Sequence, residues 1–315
     1  MKLHFIKMHA LGNDFILIDD RSARLKKIPQ LSKKLCSRRF GIGADQLLLL
    51  CKSKTSDFKM RIFNADSSEV EMCGNGIRCL AKYIWDKNLK TQYAVPAYRT
   101  GRRSTQKHLA IETLAGIIHL QKTGKLIKVD MGEPILEPEK IPVKIETKKI
   151  RSYEDKNFST SHLLNLSPSQ PSGVKPIINY PLQVEDKKFK ITCVSMGNPH
   201  AITVVKDVHS VPLIHYGPII ENYRFFPNRT NVEFIQILNR KNIRMRVWER
   251  GAGETMACGT GASASGVASA LLGLTERKVT VHLPGGKLLI EWSKKNNHVY
   301  MTGPAVKVFE GRIEI

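Results

Sequence analysis

The chain has 315 residues, 42% of them hydrophobic, and a formal net charge of +22 from 50 Lys and Arg against 28 Asp and Glu. It contains no run of about 18 apolar residues, so no membrane-spanning helix is predicted, and its length suits two domains better than one. The basic residues are dispersed and include no nucleic-acid-binding motif, so the charge predicts a solvated surface rather than a nucleic-acid or membrane partner.

The first third of the chain predicts short strands with two helices. Gly12-Asn13-Asp14 suits a tight reversal between the first two strands, and apolar residues recur at helical spacing after Cys73. The polar, basic stretch at residues 90–107 predicts an exposed loop. The predicted strands are residues 3–8, 15–19, 46–51 and 58–64, and the predicted helices are residues 29–40 and 73–88.

The rest of the chain predicts more strands and one further helix. Residues 133–183 are rich in Pro, Ser and Lys and predict strand fragments within a long loop. The helix at 258–272 consists largely of Gly, Ala and Ser, so we expect it to be enclosed on all sides. The predicted strands are residues 109–113, 116–121, 126–131, 188–196, 201–205, 231–238, 243–248, 278–283, 287–293 and 298–301, with a last segment at 306–315.

Six cysteines occur without any C-x-x-C pair. Their spacing indicates neither a zinc ribbon nor a secreted disulfide framework, and the amino terminus lacks the apolar block of a signal peptide. These features predict a cytoplasmic protein without a metal site.

Two of the cysteines share one local pattern. The string EVEMCGNG at residues 69–76 recurs in modified form as ETMACGTG at residues 254–261. In both, an acidic residue precedes the cysteine by four positions, and glycines follow it by one and by three. Because a cysteine at the first turn of a helix is stabilised as a thiolate, the pattern predicts two reactive thiols, Cys73 and Cys258.

The spacing between Cys73 and Cys258, which we call the repeat offset, relates other polar positions at strand ends. It aligns Asn13 with Asn198, Gln46 with Asn231, and Asn64 with Glu249. We infer a duplicated α/β unit. The first half is predicted at residues 1–120, with the segment 304–315 packing back on it, and the second half at 121–303. A pseudo-twofold arrangement would bring both cysteines to one cleft between the halves.

Two opposed thiols suit the inversion of a stereocentre. A thiolate removes the α-proton from one face of the carbon, and the other thiol delivers a proton to the opposite face. Two helix N-termini would stabilise the negative charge that develops at the α-carboxylate. No pyridoxal phosphate motif is present, although a single Schiff-base lysine would leave no pattern, so chemistry without a cofactor is the simpler hypothesis.

Five strings resemble the diaminopimelate epimerase family, in family order along the whole chain. They are MHALGNDF (8–15), FGIGADQ (40–46), NADSSE (64–69) continuing through Cys79, GNPH (197–200) and ERGAGET (249–255) continuing through Gly261. The resemblance implies a cofactor-independent enzyme that converts LL-diaminopimelate to the meso isomer, for lysine and peptidoglycan synthesis. It also implies a homodimer of two pseudo-symmetric α/β domains, each a mixed β-sheet wrapped around a central helix.

The resemblance further implies roles for individual residues. It makes Cys73 and Cys258 the catalytic pair, His200 and Glu249 the residues that adjust the thiol pKa values, and Phe309 a dimer contact. The substrate-binding residues that it implies are Asn13, Gln46, Asn64, Gly74, Asn75, Asn198, Asn231, Glu249, Arg250, Gly259 and Thr260.

Simpler interpretations exist for single residues. Asn13 and Asn198 each follow a glycine and would ordinarily be turn residues, and His200 can equally be a buried histidine with a structural partner. The nearest alternative function is a related proline or hydroxyproline racemase, which typically has His after Cys-Gly where this chain has Asn75. A less favoured alternative is a basic, nucleic-acid-binding protein that retains the fold without the activity.

Overall fold

The computed structural model describes residues 2–90, 107–144 and 175–314 of the chain. It divides into two units, Met1–Asp130 with Thr302–Ile315, and Met131–Met301. The boundary between the two units, after Asp130, therefore lies later in the chain than the boundary predicted at residue 120. The reason is that a strand over Leu126–Asp130 pairs antiparallel with the strand before it, which keeps these residues in the first unit.

The first unit contains nine strands and two helices among its described residues. Its last strand in the chain, β18, pairs antiparallel with its first, β1. The elements are β1 (Lys2–Ala10), β2 (Asn13–Asp19), α1 (Ile28–Cys36), β3 (Gln46–Cys51), β4 (Phe58–Asn64), β5 (Glu69–Val70), α2 (Gly74–Asp86), β6 (His108–Thr113), β7 (Gly116–Thr123), β8 (Leu126–Asp130) and β18 (Val306–Glu314).

The second unit repeats this order of elements. An additional strand, β9, precedes the repeated set and pairs antiparallel with β10. The elements are β9 (Tyr180–Val184), β10 (Lys187–Ser195), β11 (Pro199–Val204), α3 (Leu213–Glu221), β12 (Asn231–Asn239), β13 (Asn242–Glu249), β14 (Gly253–Thr255), α4 (Gly259–Leu271), β15 (Lys278–Leu283), β16 (Gly286–Trp292) and β17 (Val299–Gly303), which continues past the unit boundary at Met301.

Strand pairing follows the same scheme in both units. In the first unit β2 runs parallel to β3, and in the second β11 runs parallel to β12. The register is also the same: Phe15 pairs with Gln46, and at the repeat offset His200 pairs with Asn231. The strands β4 and β6 are parallel, as are β13 and β15. The predicted α/β fold with mixed sheets is therefore confirmed, and the repeat offset in the sequence corresponds to a repeat in the structure.

One helix in each unit packs against most of the strands of that unit. Helix α2 contacts β1, β2, β3, β4, β8 and β18, and helix α4 contacts β10, β11, β12, β13, β15 and β16. Small residues make up most of α4, and eleven of its thirteen residues are buried. As predicted, α4 is enclosed, because Gly, Ala and Ser let strands approach its axis from every side.

Some elements differ from the sequence predictions. Helix α1 ends at Cys36, because Ser37 leaves the helix with ψ 120°. Helix α3 was not predicted, since Gly217 and Pro218 lie inside it and are typical of turns. Strand β9 lies at the end of the stretch at 133–183, which was predicted as strand fragments within a long loop. Most of the predicted loop at 90–107, and residues 145–174 of the loop at 133–183, lie outside the described residues.

No helix of the described part is long and apolar enough to span a membrane.

Candidate active site

Each unit has one cysteine at the N-terminus of its central helix. Cys73 is the N-cap of α2, with φ −137° and ψ 114°, and Cys258 is the N-cap of α4, with φ −115° and ψ 118°. In both, Sγ accepts a hydrogen bond from a backbone N–H three residues later, at 3.4 Å from Gly76 and 3.4 Å from Gly261. First-turn N–H groups and the helix dipole favour negative charge at this place, which is the environment of a reactive thiol.

The glycine three residues after each cysteine allows this close packing. A Cβ on Gly76 would lie 3.0 Å from Leu48 Cδ2 and 3.3 Å from Phe15 Cε1. A Cβ on Gly261 would lie 2.6 Å from Glu233 Oε1, too close for any side chain. A side chain at either glycine would therefore force its neighbours to shift where the first turn of the helix lies against the strands beneath it.

Polar residues of the first unit surround Cys73. We call the following set the first cysteine site: Asn13, Gln46, Asn64, Cys73, Gly74 and Asn75. Asn13 Oδ1 lies 3.8 Å from Cys73 Sγ and accepts a hydrogen bond from Asn75 Nδ2 at 3.2 Å. Asn13 Nδ2 donates to Asp45 Oδ2 at 2.8 Å. This donation fixes the amide with its carbonyl oxygen toward the cysteine.

A charged cluster holds the loop that carries Asn13. Arg38 donates to Asp14 Oδ1 at 2.8 Å and to Asp45 Oδ1 at 2.7 Å, and Lys7 donates to Asp14 Oδ2 at 2.6 Å. Burial alone would raise the pKa of Asp14, but the hydrogen bonds from Arg38 and Lys7 hold it well below its usual range. Asp14 is therefore ionised at neutral pH and anchors the turn before β2.

Arg78 is a buried cation on α2 beside the first cysteine site. It is fully buried and donates to Gly74 O at 3.1 Å and to Asn75 Oδ1 at 2.7 Å. Burial lowers its pKa to about 10, so the guanidinium keeps its charge at neutral pH, and it interacts electrostatically with Cys73. Arg78 thus orients the Asn75 amide and places positive charge where it favours a thiolate at Cys73.

Gln46 and Asn64 are joined directly, at the paired ends of β3 and β4. Gln46 Nε2 donates to Asn64 Oδ1 at 2.8 Å, and Asn64 Nδ2 donates to Ser68 Oγ at 2.9 Å. Gln46 Oε1 is buried and has no hydrogen-bond partner among the described residues. A buried acceptor without a hydrogen bond costs free energy, so this oxygen is suited to accept a hydrogen bond from a ligand.

A second polar set surrounds Cys258, and we call it the second cysteine site: Asn198, His200, Asn231, Glu249, Arg250, Cys258, Gly259 and Thr260. Thr260 Oγ1 lies 3.4 Å from Cys258 Sγ and accepts a hydrogen bond from Asn198 Nδ2 at 3.3 Å. Asn198 Oδ1 lies 3.1 Å from His200 Nε2. These contacts join His200 to the thiol through two intervening side chains.

Negative charge lies close to Cys258. Burial raises the pKa of the Cys258 thiol well above its usual value, and the charges of Glu249 and Glu233 raise it further. Burial also raises the pKa of Glu249, which accepts a hydrogen bond from Thr255 Oγ1 at 2.5 Å. In the ligand-free protein these effects keep Cys258 as a neutral thiol at neutral pH.

Asn231 and Arg250 are joined at the start of β12. Asn231 Nδ2 donates to Pro199 O at 2.8 Å, and Arg250 N donates to Asn231 Oδ1 at 3.0 Å. Asn231 is 3% exposed and both ends of its amide are engaged. The Arg250 side chain is exposed and donates to Asn228 O at 3.1 Å. Asn231 therefore holds the backbone of Arg250 in place. The guanidinium of Arg250 remains accessible to an anion.

The structure places Asn13 and Asn75 beside Cys73, and Thr260, Asn198 and Glu249 close to Cys258. It adds three that the sequence reading missed: Asp45, Arg78 and Glu233. Nothing in the sequence distinguishes Arg78 from the other Lys and Arg residues, which number 50 in all. Glu233 could have been found, because the repeat offset aligns it with Leu48, and a charged residue at a position equivalent to a leucine is unusual. Phe309 lies apart on β18, where its ring meets the ring of Phe5 edge-on at 5.9 Å.

No group of three or more His, Cys, Asp or Glu side chains suited to a metal ion occurs among residues 2–90, 107–144 and 175–314. All six cysteines lie in these ranges, and none of them forms a disulfide.

Comparisons with known proteins agree with this architecture. The diaminopimelate epimerase from Acetivibrio thermocellus is 46% identical over 99% of this chain and 99% of its own. A Bacillus anthracis phenazine biosynthesis protein of the PhzF family shares the fold, with a TM-score of 0.65 at 18% identity over 100% of both chains. A hydroxyproline epimerase from Agrobacterium vitis does so with a TM-score of 0.64 at 13% identity, over 99% of this chain and 92% of that chain.

The family comparison extends to both cysteine sites. The profile of the diaminopimelate epimerase family matches residues 5–137 and 192–308, which include Cys73 in the first segment and Cys258 in the second. With this match and the identity over nearly its full length, the chain belongs to the diaminopimelate epimerase family.

Proposed function

We propose that this protein interconverts LL- and meso-diaminopimelate by proton transfer between the substrate α-carbon and two cysteines, without a cofactor. The observation that carries the proposal is the repeated construction of the two cysteine sites in a member of this family. Cys73 and Cys258 each cap a central helix, with the same hydrogen bond to Sγ and the same glycine beneath the first turn. Two similar acid–base groups are what inversion at one carbon requires.

The protonation states of the two thiols differ before reaction in this proposal. Arg78 favours the thiolate at Cys73, whereas burial and Glu249 favour the neutral thiol at Cys258. Cys73 then removes the α-proton from one face, and Cys258 gives its proton to the other face. The products are an inverted α-carbon, a Cys73 thiol and a Cys258 thiolate. In the reverse direction the same two groups exchange roles.

The carbanion formed between these two steps needs strong stabilisation. The first-turn N–H groups of α2 and α4 supply hydrogen-bond donors and positive potential for the α-carboxylate, where charge accumulates. We assign this contact to Gly74 and Asn75 in one site and to Gly259 and Thr260 in the other. Removal of one such donor in other enzymes lowers kcat by about 10²–10³-fold, so several together account for a large part of the barrier.

The remaining polar residues bind the rest of the substrate in this proposal. Gln46 Oε1, a buried acceptor without a partner, receives an ammonium N–H. The exposed Arg250 guanidinium binds the distal carboxylate as a bidentate partner, and Asn13, Asn64 and Asn198 orient the bound amino acid. His200 and Glu249 adjust the acidity of Cys258.

The assembly and location that we propose are a homodimer in the cytoplasm, with no nucleic-acid or membrane partner. The homodimer is supported by three exposed apolar side chains on β18, since clustered exposed apolar residues mark contact surfaces. They are Val306, Val308 and Phe309, which are 42%, 55% and 47% exposed. The cytoplasmic location is supported by the six cysteines outside disulfides.

A proline or hydroxyproline racemase is the second candidate, because a hydroxyproline epimerase shares the fold. Such a substrate has only one carboxylate. Arg250 distinguishes the candidates, since its guanidinium is suited to a second carboxylate that proline lacks.

The decisive experiment is incubation of the purified protein with LL-diaminopimelate in deuterated water under reducing conditions, without pyridoxal phosphate. We expect ¹H NMR to show loss of the α-proton signal and formation of the meso isomer. Incubation with L-proline and trans-4-hydroxy-L-proline serves as the matched comparison. Exchange with these substrates and none with diaminopimelate would transfer the assignment to the second candidate.

A further inference from the structure

The layer beneath the two central helices differs in chemistry between the repeated units. Under the first turn of α2 lie Phe15 and Leu48, which would be the nearest neighbours of a Cβ on Gly76. At the equivalent positions of the second unit, given by the repeat offset, the chain has His200 and Glu233. An apolar pair in the first unit is thus replaced by an ionisable pair in the second, and this pair lies only on the side of Cys258.

The two residues share a proton in full burial. His200 Nδ1 lies 2.7 Å from Glu233 Oε1, and both side chains are 0% exposed. The other ring nitrogen, Nε2, lies 3.1 Å from Asn198 Oδ1, which can only accept. Nε2 therefore carries a hydrogen, and one further proton lies between Nδ1 and the carboxylate.

The hydrogen on Nε2 determines which way the Asn198 amide faces. With Oδ1 held by His200, Asn198 Nδ2 donates to Thr260 Oγ1 at 3.3 Å. The Thr260 hydroxyl then has its own hydrogen available for Cys258 Sγ, 3.4 Å away. In the first unit Asp45 holds the amide nitrogen of Asn13, so the opposite end of that amide faces the cysteine.

Neither stability nor charge accounts for Glu233. A buried ion pair is generally no more stabilising than the apolar pair that occupies the same positions in the first unit. Glu233 Oε2 is moreover buried without a hydrogen-bond partner, which costs free energy. The negative charge of Glu233 raises the pKa of Cys258, and so opposes the thiolate that the reverse reaction needs. What Glu233 contributes is a fixed orientation of His200.

We propose that Glu233 is a positioning residue, which holds His200 so that Asn198 directs the Thr260 hydroxyl at the sulfur of Cys258. The hydroxyl stabilises Cys258 whenever it is a thiolate, which is its state after it has delivered a proton or before it removes one. The catalytic consequence rests on the proposed epimerase function, whereas the orientation of Asn198 does not depend on any substrate.

The test compares two replacements of similar size, Glu233→Gln and Glu233→Met. Gln can still donate to Nδ1 and leave the Nε2 hydrogen on Asn198, whereas Met cannot hydrogen-bond to the imidazole. We expect Gln to keep kcat within about threefold of the original, and Met to lower it by about 10- to 100-fold, as for a lost hydrogen bond to a charged group. Leu48→Met, the equivalent position in the first unit, is the control and should leave kcat unchanged.

Each replacement is then combined with Thr260→Val. If Glu233 acts through Thr260, Glu233→Met causes no further loss of kcat once the hydroxyl is absent, so the two effects are not multiplicative. Full activity of Glu233→Met would overturn the proposal in favour of a space-filling role. Equal loss in Gln and Met would overturn it in favour of a role for charge, and multiplicative losses with Thr260→Val would show that Glu233 acts elsewhere.

A measurement without substrate separates this inference from the proposed reaction. The side-chain amide signals of Asn198 in ¹⁵N-labelled protein, assigned with Asn198→Asp, should stay in place in Glu233→Gln and shift in Glu233→Met. Circular dichroism establishes folding. If Glu233→Met does not fold, Glu233→Leu takes its place, because it leaves the His200 imidazole intact and introduces the residue found at the equivalent position, Leu48. Unmoved Asn198 signals in the replacement that folds would refute the proposal, whether or not diaminopimelate is the substrate.

Discussion

Glu69 and Glu254 lie at corresponding positions of the two units, and each accepts two hydrogen bonds from an arginine on the strand before it. Arg61 donates to Glu69 at 2.7 and 3.0 Å, and Arg246 donates to Glu254 at 2.8 and 3.1 Å. The acidic residue four positions before each cysteine is therefore half of a bidentate ion pair. It ties β5 to β4 and β14 to β13 just before the chain enters the central helix.

Replacement of either glutamate by Gln should weaken this tie. The four side chains are 18% to 32% exposed, so solvent limits the expected loss to about 0.2–1 kcal/mol of the free energy of unfolding. Thermal melts should show a decrease of at most a few degrees, smaller in high salt because salt already screens the pair. Glu314→Gln, which removes a 77% exposed partner of Lys2, is the control. Melting temperatures of the two glutamate variants that match this control would contradict the prediction.

Cys73→Ala and Cys258→Ala should each abolish epimerisation. Loss of one acid–base group typically lowers the rate by about 10²–10⁴-fold, and neither thiol can replace the other because each serves one face of the carbon. Proton exchange and product formation are followed by NMR in deuterated water. Cys36→Ala, at a buried cysteine on α1, is the control for loss of a thiol as such. Turnover in either catalytic variant close to that of the control would exclude the two-thiol mechanism.

Glu249→Gln should lower the pKa of Cys258, because it removes a negative charge that raises this pKa. In a Cys73→Ala background, the rate at which iodoacetamide alkylates Cys258 should rise with pH, since the thiolate is the nucleophile. We expect this rise to occur at lower pH in the Gln variant, and mass spectrometry of the Cys258 peptide measures it. An unchanged or higher midpoint would show that the Glu249 charge does not act on the thiol.

Asp14 should contribute to stability in a pH-dependent way. Its pKa in the folded protein is held below the ordinary value of 3.8, so its ionisation stabilises the fold above that pH. The contribution is lost as pH falls below 3.8 toward the folded-state pKa. Asp14→Asn should therefore lower stability at neutral pH and make urea unfolding less sensitive to acid. Asp186→Asn, at an exposed aspartate, serves as the control, and equal acid sensitivity in both variants would contradict the assignment.

Phe309→Lys should weaken the proposed homodimer. A charge next to the exposed Val308 of β18 would have to be buried on association, which is unfavourable without a partner. Light scattering after size exclusion should report a lower mass than for the original protein at the same concentration. Ile117→Lys changes an apolar residue of similar exposure on β7, 45% against 47%, and should leave the mass unaltered. A monomeric original protein would refute the dimer itself.

Local patterns predicted much of the fold. The strands at 46–51, 58–64 and 278–283 have the predicted bounds, because apolar runs between turn residues are readable from the chain. The cysteine pattern predicted the helix starts, since the glycine three residues after each cysteine lets the first turn pack closely against the strands. Helix α3 was missed because its burial against β12 and β13, rather than its helix propensity, stabilises it.

The chemistry around the cysteines was less predictable. Arg78 and Glu233 are charged residues in full burial, a location that composition argues against. Arg78 lies one helical turn from its partner Asn75, but its burial appears only when α2 packs against the strands. Glu233 meets its partner His200 only when β12 pairs with β11. The internal repeat nevertheless indicated that Glu233 is unusual, because the repeat offset aligns it with an apolar residue of the first unit, Leu48.

The enclosure of α4 has a consequence for protein synthesis. Its Gly and Ser residues lower the intrinsic propensity of this short helix to form, so it depends on the strands around it. Two of these strands, β15 and β16, follow it in the chain and end at Trp292. A nascent chain that stops before them therefore exposes Cys258 as an ordinary thiol in an unformed helix. The residue acquires its capped environment only after those strands leave the ribosome, so the second reactive group arises late, with completion of the fold.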